Sequence, residues 1–129
     1  ALHNYAARHQ WTLTENGQGE QHLTMVCGGK ELSLGLSGTG HPLTVGALQA
    51  FLDDWLPTCP TAALDYIHGD ATARELAANP DSVAFLLPAL PKGDLLPAVE
   101  QLGALPRKTF SMAEAHEKRD YMEARRLMR

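Results

Sequence analysis

The chain reads as an α+β domain on a mixed sheet, with an N-terminal antiparallel hairpin and a C-terminal strand–helix–strand–helix crossover unit. Three observations predict this. Residues 22–26 and 31–36 alternate in polarity on either side of Gly28-Gly29, the pattern of a hairpin. Thr44 precedes Val45, Leu48, Phe51, Leu52 and Trp55, apolar at helical spacing. From residue 63 onward, strand-like and helix-like segments take turns, which favours a crossover with neighbouring parallel strands.

Taken in order, residues 2–8 suit a helix, and residues 11–14 a short strand closed by the turn Asn16-Gly17-Gln18-Gly19. In the hairpin, Leu23, Met25 and Cys27 share one face of the first segment and Leu32, Leu34 and Leu36 one face of the second, and Cys27 is expected on the inward face as a buried small hydrophobe. Ser37-Gly38-Thr39-Gly40 is a loop, and Thr44 is expected to cap a helix that stops before Pro57. Residues 63–67 read as a strand, Asp70 as the cap of a helix through Leu76, and residues 82–87 as a nearly all-apolar strand. Asp94 is expected to cap a further helix with Leu95, Leu96, Val99 and Leu102 facing inward and Gly103 as its stop. In the tail, Ser111-Met112-Ala113-Glu114 fits a capping box and Glu114/Lys118 an i, i+4 pair. These favour a helix over an edge strand through residues 121–127.

Length and charge narrow the field. At 129 residues the chain is one domain, able to bury a core without disulfide staples. Cys27 and Cys59 stand far apart with no CxxC or Cys/His spacing, which points to a reducing compartment, and the cytoplasm is the expected location. Eleven Lys and Arg against fifteen Asp and Glu give a net charge of −4, which argues against a broad nucleic-acid footprint. No apolar run approaches the roughly 20 residues that span a bilayer, so no membrane partner is expected. The chain begins at Ala1 without a charged-then-apolar leader and reads as a fragment of a longer protein.

Two constellations carry chemistry. In Arg107-Lys108-Thr109-Phe110-Ser111, a Ser111 cap would leave the amides of residues 112–114 pointing outward, and Lys108, Arg107 and the Thr109 and Ser111 hydroxyls would complete an anion cradle. In Asp65-Tyr66-Ile67-His68-Gly69-Asp70, His68 stands at the carboxyl end of the expected strand, an acid or base with Asp70 as the better-placed partner. The commoner role for both sets is structural, as caps and hydrogen-bonded polar residues. His3, His9, His22, His41, His68 and His116 show no metal-ligand spacing, the residues name no cofactor, and Gly35-Leu36-Ser37-Gly38-Thr39-Gly40 is neither GxGxxG nor a Walker loop.

Four runs, in order, are Val45-Gly46-Ala47-Leu48-Gln49-Ala50-Phe51-Leu52-Asp53, Asp65-Tyr66-Ile67-His68-Gly69, Phe85-Leu86-Leu87-Pro88-Ala89 and Gly103-Ala104-Leu105-Pro106-Arg107-Lys108-Thr109-Phe110-Ser111-Met112. Together they resemble the C-terminal third of the domain-of-unknown-function family 1015, bacterial proteins about three times as long. Relatives have Gly-Glu-Ala after the Ser-Met, where this chain has Ala113-Glu114-Ala115, and an aromatic or apolar residue where Asp120 stands. The resemblance implies a C-terminal domain whose relatives carry, in their central region, an Asp-Gly-His-His-Arg motif similar to that of the ParB and free-serine-kinase superfamily. That motif is absent from this chain.

The expected function is a noncatalytic structural or interaction module that packs on the remainder of its own polypeptide or on a second copy. The alternative is an anion or nucleotide-phosphate pocket, contributed to a phosphotransfer protein and taking a phosphate-bearing ligand.

Overall fold

The computed structural model of the chain describes residues 1–106 and 109. Leu2–Arg8 forms α1, and Thr12–Thr14, Gln21–Cys27 and Lys30–Ser37 form β1, β2 and β3. Thr44–Trp55 forms α2, Asp70–Leu76 α3, Val83–Leu86 β4 and Leu95–Leu102 α4. The molecule is α+β, and its described residues form a four-stranded sheet in the order β1-β3-β2-β4.

The hairpin follows from its turn. Gly28 and Gly29 take φ of 55° and 75°, a conformation that glycine adopts without a Cβ penalty and that matches the twist of the strands it joins. This sets the register: Leu23 opposes Leu34, Met25 opposes Leu32 and Cys27 opposes Lys30. One face of the sheet therefore collects Leu23, Leu34 and Leu36, which pack with Ala47 of α2. Tyr5 of α1 extends this core with Leu48, Phe51 and Leu52 of α2. The helix α2 buries Gly46, Ala47, Leu48, Phe51 and Leu52, while Val45 and Trp55 stay half-buried.

The second face also has a partner. Register places Val26 opposite Ala84 and Thr24 opposite Leu86, so this face carries Val26, Ala84 and Leu86 at one end. Ala73 and Ala77 of α3 cover them. Small residues on α3 let the helix lie close to the strands, and the Gly28 amide donates to the Ala77 carbonyl at 3.0 Å.

Several expectations are corrected. Among the described residues every strand pairing is antiparallel, and residues 63–67 join no sheet, so the parallel crossover pair is not formed there. Antiparallel β4 instead reaches β2 directly. Cys27 is exposed, because it ends β2 at the turn and pairs with Lys30 and with Val83, which is itself half in solvent. The first residue outside α2 is Leu43 and that outside α3 is Gly69, at φ 96°, so Thr44 and Asp70 are first helical residues rather than caps. The carboxylate of Asp70 turns instead to Arg74, one helical turn on. Asp94 holds the cap position of α4 without a side-chain hydrogen bond, and Gly103, at φ 72°, stops that helix as expected.

The apolar side of α4 is the largest departure. Ala98 is buried, yet Leu96 is 73% exposed and Val99 and Leu102 are 36% and 38% exposed. With residues 63–67 outside the sheet, the described strands build no surface beyond β4 for these side chains to cover. The tail expectations, a capping box from Ser111 and an edge strand through residues 121–127, lie outside the described residues.

Candidate functional site

The part of the second sheet face that α3 leaves uncovered is polar, because the alternation that sends Leu23 and Leu34 inward sends His22, Thr24 and Ser33 to the other side. These three line a concavity of about 440 Å³, closed by Asn16 and Gly17 on one side, Leu86, Leu87 and Pro88 on another, and Asp70 and Arg74 of α3. Arg74 is held by two carboxylates. Its Nε donates to Glu31 Oε1 at 2.7 Å, and its Nη1 lies 3.4 Å from Asp70 Oδ2. Hydrogen bonding to Glu31, with the nearby charges of Glu31 and Asp70, holds the guanidinium above its ordinary value, so it stays a fixed cation.

The wall formed by residues 16–19 is set by Gly35. A Cβ there would fall on the Gln18 carbonyl, so the loop crosses β3 at the one position without a side chain. The Gln18 amide donates to Asn16 Oδ1 at 3.1 Å and Thr14 Oγ1 donates to the Gln18 carbonyl, which ties the loop to β1.

A second concavity, about 300 Å³, adjoins the first and shares His22, Leu87 and Pro88 with it. It is lined by Glu20, Gln21, residues 42–45 at the start of α2, Asp94 and Thr109. Gln21 fixes one wall: its amide donates to the His41 carbonyl at 2.5 Å, and the buried Thr39 hydroxyl donates to its Oε1 at 3.2 Å.

No family model, curated protein or solved structure matches this chain.

The expected site residues separate accordingly. Asp70 lines the first concavity and Thr109 the second. Thr109 Oγ1 donates its single proton to the Pro106 carbonyl at 2.5 Å, which leaves the hydroxyl only acceptor capacity. His68 is exposed in the bend before α3 and lines neither concavity, and the carboxylate of its expected partner Asp70 is turned to Arg74. Arg107, Lys108 and Ser111 lie outside the described residues. Among the described residues no three His, Cys, Asp or Glu side chains gather in a metal-holding group.

Sequence reasoning passed over His22, Thr24, Ser33 and Arg74. The signal was present as a polar alternation on β2 and β3, read only for its apolar half. The union of that row with α3 depends on tertiary packing and leaves no local mark.

Among the described residues no helix is long and apolar enough to cross a membrane.

Proposed function

We propose that the chain is a noncatalytic interaction module that packs through α4 on another polypeptide surface, in its own chain or in a partner. The observation that supports this reading is the apolar exposure along α4, where Leu96, Val99 and Leu102, spaced three residues apart, stand 36–73% exposed. Burying a leucine side chain fully stabilises by about 1.5–3 kcal/mol, a gain α4 leaves unrealised within the described residues. Exposed large apolar side chains repeated at helical spacing are the kind of surface that association covers. The reading agrees with the position of the domain implied by the family 1015 resemblance.

The alternative, an anion pocket built from Arg107, Lys108, Thr109 and Ser111, has Thr109 as its one described member. With that hydroxyl donating to Pro106, the described residues lend it no support.

A photo-crosslinking side chain at position 96, compared with one at the exposed Lys30, tests the proposal in the protein as its host expresses it. Crosslinks to polypeptide from position 96 and not from position 30 are expected, and their loss in a Val99→Ser, Leu102→Ser background. Equal crosslinking from both positions refutes it.

A further inference from the structure

We propose that residues 63–67 form a docking strand, which takes up an extended segment of a partner rich in alternating apolar and Lys or Arg residues. The inference rests on the reading as an interaction module but places a second contact, away from α4. The sequence Ala63-Leu64-Asp65-Tyr66-Ile67 contains β-forming residues, yet the segment runs from residue 62 to 67 with no helix, turn or bend and pairs with no strand among the described residues. The Ala62 amide donates to the Cys59 carbonyl, and the next backbone bond along the chain is from Ala73 to Gly69. Between them, among the described residues, the Tyr66 amide meets only the neighbouring Asp65 carboxylate, at 2.7 Å. A run of amides and carbonyls with no partner among the described residues and with exposed side chains is a template for main-chain pairing. The side chains agree, with Leu64, Tyr66 and Ile67 at 39%, 37% and 40% exposure.

The template is held in place. The Tyr66 hydroxyl donates to Gln49 Oε1 of α2 at 2.9 Å, and Gln49 Nε2 donates to Asp53 Oδ1 at 2.7 Å. An incoming strand meets a segment already tethered to a helix, which lowers the ordering cost of association.

Charge selects the occupant. Between Glu31 and Arg74 the sequence holds no Lys or Arg. Asp54 pairs with Arg8 and Asp70 with Arg74, whereas Asp53 and Asp65 have no cationic partner among the described residues. A basic, apolar strand complements this surface. A second copy brings the same acidic residues and a net charge of −4, and like charges across a strand pair oppose it.

The probes are three synthetic peptides of about nine residues, long enough for one strand. The first alternates Val and Lys, the second has Glu for Lys, and the third is the Lys peptide N-methylated at alternate residues. With the whole chain, the Lys peptide is expected to bind and to slow amide exchange within residues 63–67. The Glu and N-methylated peptides are expected to bind about tenfold or more weakly, having lost charge match and main-chain donors respectively. Ile67→Pro removes an amide with no partner among the described residues, so an unchanged thermal midpoint with about tenfold weaker peptide binding is expected. Equal binding of the three peptides, no protection in residues 63–67, or full binding by a folded Ile67→Pro chain overturns the proposal. The peptide comparison decides the matter even where Ile67→Pro misfolds. Crosslinking from position 96 that survives such a result leaves the α4 reading standing and removes this one alone.

Discussion

The Trp11 amide donates to the Ala6 carbonyl at 2.8 Å, folding the chain back over the end of α1, and the Trp11 ring meets Tyr5 edge-on at 5.1 Å. The Gln10 amide donates to the Ala7 carbonyl at 3.4 Å, which completes a Schellman-type stop with its accompanying hydrophobic contact. The residue in the left-handed position is Gln10, at φ 60°, the one non-glycine with positive φ among the described residues. A side chain there costs roughly 1–2 kcal/mol. Gln10→Gly relieves that strain while loosening the unfolded chain, so a net gain of about 0.5–1 kcal/mol is expected in denaturant unfolding. A loss of stability would show that the Gln10 side chain makes a contact outweighing its backbone strain.

Gly35→Ala and Gly93→Ala separate close approach from conformational freedom, since neither glycine has a positive φ. At Gly35 the new Cβ meets the Gln18 carbonyl, backbone that moves only if the loop of residues 16–19 lifts from β3. A destabilisation of about 3 kcal/mol is expected, with chemical-shift changes at Asn16 and His22 around the first concavity. At Gly93 nothing stands within 4 Å, and the change should stay within about 0.5 kcal/mol.

Burial pushes the Tyr5 phenol above its ordinary value; Asp54 adds to the shift and Arg8 opposes it. The folded chain thus holds this proton more tightly than the unfolded chain does. The contribution is fully present below the unfolded phenol's pKa of about 10 and is lost as pH rises through the folded-state pKa. Thermal unfolding should show the wild type losing stability above about pH 10 more steeply than Tyr5→Phe, with the two parallel near neutrality. Parallel curves throughout would place the phenol in water.

The sequence carried those parts of the fold that local rules determine. Gly28-Gly29 announced the hairpin, the Leu23/Leu34 pairing followed from period 2, and Gly103 marked the end of α4. What it hid depends on partners distant along the chain. Among the described residues, residues 63–67 have strand composition but join no strand, and α4 has a core-like stripe with little core against it. Val26 reads as surface when one sheet face is assumed to be wet, yet Ala73 and Ala77 cover it. Of the candidate site, the sequence singles out Asp70, as a helix cap and partner of His68, and Thr109, as a member of an anion cradle. The row of His22, Thr24 and Ser33 became a concavity only when α3 placed Arg74 beside it.

Leu36 and Leu96 mark the contrast on which the functional reading turns. Leu36 is 1% exposed in the core beneath α2, and Leu36→Ala should cost about 2–5 kcal/mol, through lost transfer energy and the cavity left behind. Leu96 is 73% exposed, and Leu96→Ala should change the unfolding free energy by less than about 0.5 kcal/mol. A leucine that the fold does not use for its own stability is free to be used in association. Unfolding curves and position-96 crosslinking therefore report different things: Leu96→Ala at the exposed end of α4 should leave the first unchanged, while Val99→Ser with Leu102→Ser abolishes the second. If Leu96→Ala instead destabilises the chain as much as Leu36→Ala does, α4 belongs to the interior and the interaction reading fails.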